Sequence, residues 1–258
     1  MLINTLNILK IGGKVLEDEQ QLDQALSYFS QLPQPAILVH GGGKKASEMS
    51  QKLGIQPKMI NGRRITDADA LEVVTMIYAG LSNKKVVSQL QAKGCNALGI
   101  SGADGNIILS QKRVVRDIDY GFAGDIVAVN TIALCHLLNA GFVPVCCAIT
   151  HNKRGQLLNT NADTIAAELA IALADDYEVC LQYCFEKPGV LMDAEDDTSV
   201  IPTIQPDRYQ QLKADGIIYE GMIPKLDNAF AAIEAGVKQV SIGNLKALTA
   251  NEATILNA

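Results

Sequence analysis

The sequence predicts an α/β fold in which a mainly parallel sheet is covered by helices on both faces. Three observations predict it. Short β-rich runs alternate with longer stretches of helical spacing along the whole chain; several of those stretches stop at a glycine; and the first two strands each run straight into a glycine cluster that opens a helix.

Taken in order, the run 6–11 reads as the first strand and ends in Leu9-Lys10-Ile11-Gly12-Gly13-Lys14. Helical spacing follows over 22–29, and then a second strand, 36–40, ends in Val39-His40-Gly41-Gly42-Gly43-Lys44-Lys45. The helix predicted over 44–53 stops at Gly54, a residue suited to the left-handed conformation that ends helices. The segment 58–65 reads as a hairpin with Asn61-Gly62 at its turn, and a long helix over 68–92 stops at Gly94. A third strand is expected over 97–101 and further extended pieces over 106–113 and 156–158, as hairpins grafted onto the sheet. Between these pieces lie a helix over 131–140, stopped by Gly141, and an apolar strand over 143–149. Asn161 is placed to cap a helix over 163–173, with Asp163 in its first turn, where a carboxylate is favoured. The last elements are strands over 178–184 and 239–242, with helices over 206–214 and 224–235 that stop at Gly216 and Gly236.

The bulk composition fits one compact body. The chain has 258 residues, 48% of them hydrophobic and 19% charged, a balance that supports a large core. A formal net charge of −6 argues against a nucleic-acid or anionic-membrane partner, since those need a dense basic surface. The apolar runs are only strand-length and the first residues lack the pattern of a signal peptide, so a cytoplasmic location is expected. Six cysteines without a CxxC pair, and three scattered histidines, speak for buried thiols rather than zinc, disulfides or a thiolate nucleophile. No linker or composition break divides the chain; a soft division is expected near residue 175, giving lobes 1–175 and 176–258.

The two glycine clusters suit a phosphate chain. In parallel α/β sheets ligands bind beyond the carboxyl ends of the strands, where glycine lets backbone N–H groups approach phosphate oxygens beside a helix N-terminus. Glycine also makes plain strand-to-helix turns, but two clusters with adjacent lysines favour the functional reading. Neither is a Walker loop, and there is no GxGxxG fingerprint. Glu220-Gly221-Met222-Ile223-Pro224-Lys225 puts a lysine at a helix start, against the helix dipole, where it needs a reason. Asn61-Gly62-Arg63-Arg64-Ile65-Thr66-Asp67 offers a guanidinium fork that could grip a carboxylate, although Thr66 or Asp67 could equally be a cap.

Taken together, LKIGGK, VHGGGK, NGRRITD, ISGADGN, GFAGDI, LLNTNAD and EGMIPKLDNA, in this order from Leu9 to about Gly243, resemble the successive motifs of the acetylglutamate kinases within the amino acid kinase superfamily. The resemblance implies a three-layer αβα sandwich whose amino-terminal lobe, 1–175, holds an acyl amino acid and mediates dimerisation, and whose carboxyl-terminal lobe, 176–258, holds ATP. It implies phosphorylation of the side-chain carboxylate of an N-acylglutamate in arginine biosynthesis, with Lys10, Lys225 and Asp163 catalytic. It places Gly12, Gly13, Gly42 and Gly43 on the phosphoryl group as N–H donors, and Arg64 and Asn159 on the acyl substrate beside Gly42 and Gly43. Glu186 and Gly189, with Lys225, fall at the nucleotide, and magnesium rides on ATP without protein ligands. A carboxylate nucleophile is already ionised at neutral pH, so no general base is needed.

Cys184-Phe185-Glu186-Lys187-Pro188-Gly189 departs from relatives, which carry Thr-Asp or Ser-Asp before the Pro-Gly or Ser-Gly turn; Glu186 would replace the aspartate. The chain starts almost at its first strand, so a homodimer without arginine feedback is expected. The alternatives are an N-succinylglutamate kinase, another superfamily member with a carboxylate, carbamate or phosphate acceptor, and a non-catalytic ligand-binding regulator of the same fold.

Overall fold

A computed structural model of the chain describes residues 4–60, 62–218 and 222–257. Asn61 of the expected hairpin turn, and Glu220 and Gly221 of the EGMIPK run, lie outside the described residues.

The chain opens with β1 (Thr5–Ile11), α1 (Gly13–Glu17), α2 (Glu19–Gln31), β2 (Ala36–His40) and α3 (Gly43–Lys52). A small antiparallel pair, β3 (Lys58–Ile60) and β4 (Arg63–Ile65), precedes a continuous helical rod. The rod comprises α4 (Ala68–Thr75), a π-helical stretch (Met76–Ser82) and α5 (Asn83–Ala92). Next come β5 (Ala97–Ile100), β6 (Ile108–Lys112), β7 (Gly124–Val129), α6 (Thr131–Asn139), β8 (Val143–Cys147), β9 (Ile149–His151), β10 (Leu157–Asn159) and α7 (Ala162–Leu173). The remainder is β11 (Glu178–Cys184), β12 (Thr203–Ile204), α8 (Pro206–Ala214), α9 (Ile223–Glu234), β13 (Gln239–Gly243), α10 (Leu245–Ala250) and β14 (Thr254–Leu256).

Eight strands form the central sheet in the order β12-β14-β13-β11-β1-β2-β8-β5, parallel except for β13 against β14. The division expected at residue 175 falls between α7 and β11. In the sheet β11 pairs with β1, from Thr5 opposite Glu178 to Ile11 opposite Cys184.

Alternation along β1 decides which side chains meet which helices. Leu6 and Ile8 point into one core cluster, with α7 and α9, while Leu9 and Ile11 point into the other, with α1, α2, α5 and α10. The result is the expected helix-sheet-helix sandwich, with cores on both faces of the sheet. Lys10 shares the parity of Leu6 and Ile8 and therefore lies on the side of α7 and α9.

The expected elements stand where the sequence puts them, with several differences. The apolar run 143–149 is not one strand: it breaks at Ala148, leaving β8 in the central sheet and β9 outside it. Both pieces are buried, so no polar residue marks the break. The pieces expected as grafted hairpins instead join β7 and β9 in a separate four-stranded sheet, β10-β9-β6-β7. The helix expected over 68–92 has π-helical turns in its middle, and these coincide with a change of partner. Leu71, Val74 and Ile77 pack in the α7/α9 core, whereas Val86 and Leu90 pack in the opposite one. Among the described residues, no helix is long and apolar enough to cross a membrane.

Candidate active site

The three polar residues singled out as catalytic meet at one atom. Lys10 Nζ lies 2.6 Å and Lys225 Nζ 3.0 Å from the same carboxylate oxygen, Oδ1 of Asp163. Each is delivered by a separate element: Lys10 by the carboxyl end of β1, Asp163 by the first turn of α7, Lys225 by the first turn of α9. Local capping frees the Asp163 carboxylate for this work. Asn161 Oδ1 accepts the backbone N–H groups of Asp163 (2.7 Å) and Thr164 (3.2 Å), so the helix end does not need Asp163 as its cap. The Tyr183 hydroxyl donates to the Asp163 carbonyl at 3.1 Å and fixes the start of α7 against β11.

The electrostatics follow from burial and from this sharing. Burial pushes the Asp163 carboxyl up, but Lys10 and Lys225 together outweigh it and hold the group well below the usual carboxylate range. Lys225 is lowered to about 8, first by burial and then by the Lys10 charge, against the pull of Asp163. A cation at the start of α9 opposes the helix dipole, and the structure supplies the compensation. Besides Asp163, the ammonium stands 4.8 Å from the Tyr183 ring centroid and 5.6 Å from that of Phe185. Cys184 is close by, but burial keeps its thiol raised to about 11 although both lysines lower it, which leaves no thiolate nucleophile at neutral pH.

The glycine turns flank this centre, and the second packs against the start of α7, a Cβ at Gly41 standing 3.8 Å, an ordinary contact distance, from that of Ala162. Their four singled-out glycines are not equivalent. The N–H of Gly12 is already given to the Cys184 carbonyl at 2.8 Å, which corrects the expectation that it is a donor for a phosphoryl group. Gly13 and Gly43 are first helical residues of α1 and α3, whose N–H groups no intrahelical carbonyl reaches. Gly42 has φ of 149°, and an added Cβ would come within 2.9 Å of Tyr78 Cδ1, so only glycine fits.

Arg64 and Asn159 line the same cavity as Gly41, Gly42, Gly43 and Tyr78. The guanidinium is anchored on one side: Nη2 donates to the Gly43 carbonyl and to Ser47 Oγ, each at 2.7 Å. Its other nitrogen, Nη1, is buried and has no hydrogen-bond partner, a cost that a bound anion would remove. Asn159 is held in place by donating Nδ2 to Thr66 Oγ1 at 3.0 Å. Asp67, not Thr66, caps α4, accepting the Ala70 N–H at 2.9 Å.

Glu186 and Gly189 border a second cavity, apolar over Phe185, Val190, Leu191, Ile217, Ile218 and Met222. Glu186 pairs with Lys14 of α1 at 2.8 Å. Gly189 is demanded by packing, since a Cβ would stand 2.6 Å from Thr254 Oγ1. Among the described residues no three His, Cys, Asp or Glu side chains converge as a metal site, and Asp163 is already held by two ammonium groups.

Sequence reasoning missed Tyr78 and Glu17. Tyr78 sits in an apolar helical pattern and reads as core, and Glu17 reads as a solvated charge. Folded, Glu17 joins two helices: its Oε1 accepts the Lys45 N–H at 3.0 Å, so the end of α1 caps the start of α3.

A model of the amino acid kinase family matches residues 5–244. Over 251 residues, 97% of this chain and 98% of the relative, the sequence is 53% identical to an acetylglutamate kinase of Phocaeicola vulgatus. Among solved structures, smu.665 from Streptococcus mutans UA159 superposes with a TM-score of 0.82 at 26% identity, covering 98% of both chains. A carbamate kinase from Giardia lamblia shares the fold at 14% identity, with a TM-score of 0.69 over 100% of this chain and 99% of its own. With the family model spanning most of its length and relatives above half identity, the chain belongs to the amino acid kinase family and, within it, to the acetylglutamate kinases.

Proposed function

We propose that this chain transfers the γ-phosphoryl group of ATP to the side-chain carboxylate of N-acetyl-L-glutamate, as a cytoplasmic step of arginine biosynthesis. The observation that carries the reading is the shared carboxylate: two buried ammonium groups 2.6 and 3.0 Å from Asp163 Oδ1, between two glycine turns. Phosphoryl transfer needs charge neutralisation and in-line alignment more than covalent help, and this arrangement supplies both. A carboxylate oxygen of the acceptor forms the new bond to the γ-phosphorus as the bond to the bridging oxygen of ADP breaks. Lys10 neutralises the transferring group and Lys225 the leaving end, while Asp163 holds the two cations at a fixed separation. The N–H groups of Gly13, Gly42 and Gly43 face the equatorial oxygens, with Gly12 supporting the first turn through Cys184.

The acyl amino acid lies in the amino-terminal lobe, 1–175, its α-carboxylate on Arg64 Nη1 and its acylated nitrogen region near Asn159. ATP lies in the carboxyl-terminal lobe, 176–258, its adenosine in the apolar cavity beside Glu186 and Gly189. Among the described residues no cluster of carboxylates, histidines or cysteines would hold magnesium, so it is assigned to the nucleotide phosphates, where it would keep most of its waters. A homodimer completes the reading, and light scattering of the purified chain tests it.

The deciding experiment supplies ATP with N-acetylglutamate or N-succinylglutamate and traps the acyl phosphate with hydroxylamine. Hydroxamate from the acetyl substrate is expected, lost by orders of magnitude in Lys10→Ala while acyl-substrate binding persists. Binding of ATP without hydroxamate from either substrate would overturn the reading in favour of a non-catalytic regulator.

A further inference from the structure

Tyr78 is the sole aromatic residue of the π-helical stretch; it is buried against the α7/α9 core and at the same time lines the cavity of the site. Its ring lies along the second glycine turn: Cδ1 stands 2.9 Å from the Cβ position of Gly42, and the hydroxyl 3.7 Å from that of Gly43. The Gly43 carbonyl is also where Arg64 is anchored, so the phenol and the guanidinium converge on one turn and line one cavity. A π turn takes an extra residue and shifts the facing of every side chain beyond it; such turns recur at functional sites. Here the shift coincides with the point where the rod changes from one core to the other. Burial pushes the Tyr78 phenol up although the Arg64 charge and a hydrogen bond from the Arg64 side chain lower it, so at neutral pH the phenol keeps its proton to donate onward.

We infer that Tyr78 is a substrate-binding residue, its hydroxyl donating to the α-carboxylate of the acyl amino acid as the second donor beside Arg64 Nη1. The inference rests on the proposed activity and deepens it. One guanidinium nitrogen grips one carboxylate oxygen; the phenol hydroxyl, beside the guanidinium at Gly43, serves the second oxygen and fixes the plane of the group. An acyl amine lacking the α-carboxylate gains nothing from either donor.

The test is Tyr78→Phe, which keeps the ring against Gly42 and removes only the hydroxyl, with initial rates measured while each substrate is varied. The KM for N-acetylglutamate is expected to rise at least about tenfold, as for loss of a hydrogen bond to a charged group, while kcat and the KM for ATP stay within about twofold. An N-acetylglutamate KM within about twofold of the parent's overturns the inference. So does a fall in kcat with a matching rise in the KM for ATP, which would mark Tyr78 as a prop for the glycine turn. A parent protein that does not turn over refutes the proposed activity itself, whereas an active parent with an unaffected variant refutes only the role of Tyr78.

Discussion

Replacing Asp163 by Asn keeps the shape of the side chain and removes the one charge that two buried ammonium groups share. The side chains of Lys10 and Lys225 are only 11% and 9% exposed, so water cannot take over from the carboxylate. Breaking a buried pair by removing one partner typically costs ~3–5 kcal/mol. Lys225 is already lowered to about 8 and can shed its proton once Asp163 is neutral, which puts the expected loss near the lower end, ~3 kcal/mol. In a chain of this length that corresponds to a fall in Tm of roughly 6–12 °C. Turnover should drop by about 10²–10³ under the proposed activity, since nothing then holds Lys10 and Lys225 at a fixed separation across the transferring group. Urea unfolding at pH 7, with and without ATP, and steady-state rates measure both effects. Saturating ATP should recover part of the lost stability, because its phosphates give the lysines new counter-charges. A variant within ~1 kcal/mol of the parent and within tenfold of its kcat would refute the argument that the shared oxygen organises the site.

Three further outcomes follow from the geometry. Because Lys225 sits at about 8, kcat/KM for ATP, which reports the free enzyme, should fall as pH rises through about 8; Lys225→Arg should abolish that limb, and a flat parent profile up to pH ~9.5 contradicts it. His40 is fully buried, its Nδ1 donating to the Gly41 carbonyl at 2.8 Å and its Nε2 3.1 Å from Asn83 Nδ2; burial foremost lowers it to about 4. The unfolded chain binds that proton nearer pH 6.5, so stability is fully present above 6.5 and is lost as pH falls toward 4, by ~3 kcal/mol; a His40→Asn variant with the same slope in urea unfolding would exclude His40 as its source. Glu17→Ala removes the acceptor for the Lys45 N–H and should cost ~1 kcal/mol in urea unfolding, with Glu17→Gln recovering most of it; equal losses in the two variants would argue against a capping role.

Much of this site was legible in the sequence because its parts obey local rules. A strand ending in Gly-Gly, an Asn two residues before an Asp at a helix start, and a lysine after a proline each carry their geometry in a few residues. That Lys10, Asp163 and Lys225 belong together came from the ordered set of motifs, since no spacing rule relates positions on three separate elements; that both lysines meet one carboxylate oxygen emerged only from the fold. What stayed hidden has physical reasons too. The break at Ala148 separates two strands that are both buried, so the hydrophobic run passes through it unmarked. A π turn uses the same residues as an α turn, so Met76 to Ser82 looks like uninterrupted helix and Tyr78 like core. The engagement of Gly12 with Cys184 depends on β1 pairing with β11, a contact between distant segments that the glycine itself does not announce.

The contact between Gly42 and Tyr78 also limits how a gene for this chain can drift. Every codon one base away from a glycine codon that still encodes an amino acid other than glycine adds a Cβ, and at Gly42 that atom meets both a backbone angle of 149° and a ring carbon at 2.9 Å. Shrinking Tyr78 relieves the second conflict but not the first, so no compensating change on the helical rod reopens the position. The rod, by contrast, has latitude: residue 78 can vary as far as the substrate permits. Variation in this half of the site is therefore expected on the helix that faces the turn, and not in the glycine turn itself.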